Sequence, residues 1–268
     1  RNPRTRCCAW AGRCIVGDVA TGPGWELRLG RWQDVLRDHM VTDSPYSSEV
    51  HSRHAGTIGS VVTDPPYSSE VHSRHAGTIG SVVTDPPYSS EVHSGHNSPV
   101  VLAAQEARSA IEYDALGPAD ITQLVTAFAP ANWFCCLCDS GLIPDYKAAY
   151  RDAGLTTFAP VPCVTRGMTV RLAGDGPSSW AVYLMVARTK AAHKWGTLDG
   201  AYTGLPQGER MIAGSKSLVL MRKIVRDYSR PGDLVCDPYA GSGTTLLAAV
   251  IEGRRAIGAE MDRGRFDM

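Results

Sequence analysis

The sequence predicts an α/β chain: a doubly wound, mostly parallel sheet in a single domain that carries one small insertion. Three observations lead there. Short apolar runs of strand length alternate with segments whose apolar residues recur at helical spacing. The stretch 234–260 reads as strand, glycine-rich turn, helix and second strand, and an acid, Glu260, closes it. With 268 residues there is ample length for one core, and no apolar run is long enough to cross a membrane.

Residues 1–22 lack periodicity and are expected to form an irregular arm before a domain spanning 23–268. A strand is expected over 26–29, then a helix over 31–38 with Trp32, Val35 and Leu36 at helical spacing. Residues 43–94 hold a tandem repeat of 21 residues: 47–67 recur unchanged at 68–88, and 89–94 begin a third round. Each unit has one short apolar strand, too little face to stack as a solenoid, so a duplication is the better reading. After the repeat, Asp120 caps a helix bearing Ile121, Leu124, Val125 and Phe128, which Pro130 stops. The run 133–138 reads as a buried strand, 144–153 as a helix closed by Gly154, and 155–164 and 180–186 as strands. A helix over 217–227 follows, with Leu218, Met221, Ile224 and Val225 on one stripe.

Formal charge is zero and the pI about 7.2, which excludes a generally basic coat for nucleic acid but not a basic cleft. Eight cysteines, several in apolar runs, read as buried thiols in a reducing, cytoplasmic compartment. The chain starts at Arg1 and stops soon after a strand, which is compatible with a fragment. The pairs His51/His54, His72/His75 and His93/His96 have metal-ligand spacing, but the duplication itself multiplies them; no metal site is expected.

Chemistry concentrates in two motifs. The first is Asp85-Pro86-Pro87-Tyr88, at the end of the apolar run 81–84. Its carboxylate and the carbonyl beside a proline can accept hydrogens from an amino group, and the tyrosine ring offers a stacking surface for a planar base. Related tetrads occur at Asp43-Ser44-Pro45-Tyr46 and Asp64-Pro65-Pro66-Tyr67; the third copy is chosen for its intact prolines, its Val-Val strand and its continuity with the rest of the chain. The second motif is Asp237-Pro238-Tyr239-Ala240-Gly241-Ser242-Gly243-Thr244-Thr245. It lacks the lysine of a phosphate loop and the G-x-G-x-x-G dinucleotide pattern, so a nucleoside carrying no phosphate fits better.

Together these motifs resemble the amino-group DNA methyltransferases that use S-adenosylmethionine, in the tetrad-first order of the family's β group. The resemblance spans roughly residues 24–262. It implies a Rossmann-like methyltransferase sheet and a methyl transfer to an exocyclic amine of a base flipped out of double-stranded DNA. Asp85, Pro86, Pro87 and Tyr88 would be catalytic. Asp237, Tyr239, Ala240, Gly241, Ser242, Gly243 and Thr244 would hold the cofactor's methionine side, with Glu260 on its ribose. Lys216 and Ser217 would meet its carboxylate, Ser217 standing where most members carry proline. Residues 189–214, with Lys190, His193, Lys194, Trp195, Tyr202 and Arg210, would form the target-recognition segment, by backbone contacts and stacking. Asp-Pro-Pro-Tyr leans towards adenine N6; cytosine N4, or an inactive cofactor- or DNA-binding relic disrupted by the duplication, are the alternatives. A homodimer is compatible with this reading, and no restriction partner is identified by it. Pro162-Cys163 resembles the nucleophile of the cytosine ring-carbon enzymes, but a buried strand cysteine is preferred because their other motifs are missing.

Overall fold

The computed structural model describes residues 5–8, 13–16, 18–40, 78–96, 113–165, 177–189, 195–203 and 216–267. Among them, one sheet of 11 strands forms the frame. Its parallel centre runs, in space, β4 (Trp25–Leu29), β11 (Arg255–Glu260), β10 (Leu234–Asp237), β5 (Ser81–Thr84) and β6 (Trp133–Cys138). Antiparallel strands flank it. On one side lie β1 (Thr5–Cys8), β2 (Arg13–Val16) and β3 (Val19–Gly22); on the other, β9 (Ala181–Arg188) pairs with β6, β7 (Thr156–Thr157) and β8 (Val161–Val164).

The central strands are apolar on both faces because both are covered. Val82 belongs to a core with Phe134 and Cys136, under α1 (Trp32–Val35), α3 (Pro118–Ala127) and α4 (Ile143–Asp152). Val83, pointing the other way, joins Cys135 and Leu137 under α5 (Leu218–Tyr228) and α6 (Thr244–Ile251). Two short helices, α2 (Ser90–His96) and α7 (Arg263–Asp267), complete the described elements together with two 3₁₀ turns. From β10 the chain passes through α6 to β11 on one side, while β5 lies on the other and leads towards β6. Strand order therefore reverses between β10 and β5, and doubly wound sheets bind ligands at the carboxyl ends beside such a reversal.

Three expectations are corrected. The irregular arm instead contributes three antiparallel strands, with Pro23-Gly24 turning β3 into β4 and Gly24 at φ +79°. The helix expected over 31–38 is one turn, α1, followed by a 3₁₀ turn at Arg37–His39. The strand expected over 155–164 is split into β7 and β8 around Pro160, which has no N–H for the ladder. The first two tetrad copies, together with His51, His54, His72 and His75, lie outside the described residues, as do Lys190, His193, Lys194 and Arg210.

Candidate active site

Two neighbouring parallel strands end side by side. Register pairs Val235 with Ser81 and Cys236 with Val82, so Asp237 and Thr84 finish at the same edge. There the Thr84 hydroxyl donates to Asp237 Oδ1 at 2.6 Å, both residues being buried. Two motifs separated by about 150 positions in the chain are thereby joined through one hydrogen bond.

Asp237 anchors the glycine loop. Its Oδ1 also accepts from the Tyr239 amide at 3.1 Å, and the Thr245 hydroxyl supports it too. Burial pushes its carboxyl up to about 6, against the opposing pull of these donors. Beyond it the Ala240 amide donates to the Ala259 carbonyl at 2.9 Å, and the Ser242 and Thr244 hydroxyls lie 3.1 Å apart. Gly241 (φ +54°) and Gly243 (φ +78°) turn the loop with left-handed backbone, and a methyl group added at either would meet no described residue within 4 Å. Gly258 serves the opposite purpose: a methyl group there would come within 2.9 Å of Ala240 Cβ and Leu246 Cδ1, so its bareness lets the loop lie against β11. Glu260 ends β11 with its carboxyl raised by burial, accepting from the Asp262 amide at 2.7 Å and from Gly241.

The tetrad follows β5. Pro86 is buried, and Asp85, Pro87 and Tyr88 are half-buried. The Tyr88 hydroxyl donates to Asp85 Oδ1 at 3.2 Å, and burial beside that carboxylate holds the phenol well above its usual range. Lys216 reaches the same place: its Nζ lies 2.8 Å from Asp85 Oδ2 and 4.7 Å from the Tyr88 ring centroid. The carboxylate expectation for Lys216 did not foresee this contact. Ser217 precedes α5, and its hydroxyl oxygen is buried with no hydrogen-bond partner among the described residues.

One supporting residue escaped the sequence reading. Asp139, directly after β6, accepts from the Ser89 amide at 2.8 Å, the Ser89 hydroxyl at 3.1 Å and the Gly141 amide at 2.8 Å. With the Leu116 amide donating to the Tyr88 carbonyl at 3.1 Å, the backbone around Tyr88 is tied from both sides. The available signal was positional: an acid just past an all-apolar strand, as at Asp85 and Asp237.

Two readings of the recognition segment change. Tyr202 is 1% exposed and its hydroxyl donates to Asp227 Oδ2 at 2.7 Å; the Trp195 indole donates to the Asp227 carbonyl at 2.7 Å. Both aromatics dock the segment onto the end of α5, because a buried ring with a polar atom needs a partner for it. Buried Tyr202 is not free to stack on a base, whereas Trp195 is half-buried. Cys163, on β8, is buried, and its thiol is pushed up to about 12, which leaves little nucleophilic thiolate near neutral pH. Among the described residues no group of three or more His, Cys, Asp and Glu could hold a metal ion, and no helix is long and apolar enough to cross a membrane.

The strand order and site together define the class, a doubly wound sheet of the methyltransferase type. A complex of M1.HpyAVI with SAM shares this fold at TM-score 0.52 and 20% identity, over 74% of this chain and 91% of that one. Residues 193–268 match the family described as DNA methylase. Similar proteins include the type II methyltransferase M.MthZI of Methanothermobacter thermautotrophicus, 39% identical over 22% of this chain and 17% of that one. The DNA adenine methyltransferase YhdJ of Escherichia coli is 45% identical over 18% of this chain and 16% of its own. Escherichia coli YubD is 28% identical over 43% of this chain and 50% of that one, so the chain spans half or less of each of these relatives.

Proposed function

We propose that this chain is a DNA methyltransferase that transfers the methyl group of S-adenosylmethionine to an exocyclic amino nitrogen, adenine N6, of a flipped base. One observation carries the reading: the Thr84–Asp237 hydrogen bond puts the amine-binding tetrad and the glycine loop at one sheet edge. The residues also fit the donor. No described residue lies within 4 Å of a methyl group placed at Gly241 or Gly243, which leaves room for it, and the Ser217 hydroxyl at the start of α5, unpartnered among the described residues, suits an anionic carboxylate. Glu260, at the next strand end, is the acceptor for ribose hydroxyls.

Bound there, S-adenosylmethionine supplies a methyl group already activated on a sulfonium, so positioning carries much of the rate. Asp85 accepts a hydrogen bond from the target amine, which draws the nitrogen lone pair out of conjugation. Tyr88 stacks on the base, and Asp139 fixes the Tyr88-Ser89 backbone that aims it. After transfer the amine nitrogen carries one proton too many, and the adjacent Asp85 carboxylate can take it. The adenine assignment rests on the Asp-Pro-Pro-Tyr tetrad and on the likeness to an enzyme named as an adenine methyltransferase. The test is incubation with methyl-labelled S-adenosylmethionine and DNA, followed by digestion to nucleosides. Label in N6-methyl-2′-deoxyadenosine supports the proposal; label in N4-methyl-2′-deoxycytidine moves the target to cytosine; donor binding without transfer marks an inactive relic.

A further inference from the structure

Lys216 makes two contacts that the target amine would need for itself. Its ammonium lies 2.8 Å from Asp85 Oδ2 and 4.7 Å from the Tyr88 ring centroid, a hydrogen bond to the carboxylate plus a stance over the aromatic face. A base stacked on Tyr88 with its amine on Asp85 cannot share that space. The pair is not sealed in a dry core: the two side chains keep 19% and 23% of their exposure. One residue further on, the Ser217 hydroxyl is buried without a partner among the described residues at the start of an 11-residue helix. A long lysine stem starting beside that helix end can deliver its charge to either place.

We propose that Lys216 is a two-position switch linking donor and base, an inference that rests on the methyltransferase reading. On Asp85 and Tyr88 it blocks the flipped base. A carboxylate bound at Ser217 and the start of α5 draws the ammonium across and frees the seat. Donor and base then favour each other's binding, and by linkage the effect is equal in both directions.

The experiment measures Kd for a fluorescent duplex containing a site that the wild-type chain methylates, with and without saturating S-adenosylhomocysteine. Typical couplings between sites span about 5- to 150-fold, and a partly exposed ion pair belongs near the low end, about tenfold. In the wild-type chain S-adenosylhomocysteine should tighten the duplex by about that factor. In Lys216→Met the duplex should bind as tightly without S-adenosylhomocysteine as with it, and a duplex abasic at the target should show no coupling in either protein. Equal coupling in wild type and Lys216→Met overturns the switch while leaving the methyltransferase reading intact. A wild-type chain that methylates no DNA overturns both.

Discussion

Replacing Thr84 with valine removes the hydroxyl that joins the two motifs while keeping the shape of the side chain. The hydroxyl donates at 2.6 Å to a buried carboxyl raised from 3.8 to about 6 by burial. That rise corresponds to about 3 kcal/mol between the two protonation states. Because the folded value lies above the unfolded one, the stability contributed by protonated Asp237 is complete below about 3.8 and is lost as pH rises through about 6. The wild-type fold thus already carries a charged, desolvated Asp237 at neutral pH, and Thr84 is one of its few donors. A hydrogen bond to a charged group contributes about 1.5–3 kcal/mol, one between neutral groups about 0.5–1.5 kcal/mol. Thr84→Val should therefore destabilise by about 2 kcal/mol at about pH 8 but only about 1 kcal/mol at about pH 5, where Asp237 is largely protonated. Urea unfolding at the two pH values measures the difference, provided the m-value is unchanged. An equal loss at both, or a larger one in acid, would refute the placement of the hydroxyl on an ionisable carboxyl.

Other perturbations separate loop, brace and floor. Asp139→Asn leaves one acceptor oxygen for three donors, so kcat should fall about tenfold or more, with S-adenosylhomocysteine affinity, read by calorimetry, unchanged. Recovery of kcat in a Ser89→Ala, Asp139→Asn double variant would contradict the brace. Gly258→Val drives a branched side chain against Ala240 and Leu246, already at 2.9 Å from a bare Cβ, and overpacking of this kind costs about 1–3 kcal/mol. Its thermal midpoint should drop and its donor affinity weaken together. Ser217→Ala removes a hydroxyl with no partner among the described residues, so stability should hold while donor affinity falls by about fivefold, the loss of one modest hydrogen bond.

Much of this architecture was legible because burial on both faces writes itself plainly. Strands such as Trp133–Cys138 are apolar at every position, and an acid just after a strand marks the sheet edge where chemistry collects. Identical local sequence could not decide among the tetrad copies. In the structure the third copy's strand pairs with Val235-Cys236 on one side and Phe134–Cys136 on the other, contacts that no local pattern encodes. The amino-terminal strands were missed because antiparallel hairpins need little periodicity, although Gly22-Pro23-Gly24 was a usable turn signal. Tyr202 was misjudged for a related reason: only the distant Asp227 shows that its hydroxyl faces inward. The Lys216–Asp85 pair likewise joins residues far apart in the chain.

The central claim is that the loop after β10 and the tetrad after β5 form a single reaction site. It is tested most directly by Asp85→Ala, assayed side by side for S-adenosylhomocysteine binding and for labelled methyl transfer to DNA, with Asp64→Ala as the companion in the second copy. Asp85→Ala should bind S-adenosylhomocysteine at least as tightly as wild type, since the strut to Asp237 comes from Thr84 and the loss of Asp85 releases Lys216, and should transfer no methyl group. Asp64→Ala should transfer normally. Full transfer by Asp85→Ala, or its loss in Asp64→Ala alone, would contradict the account.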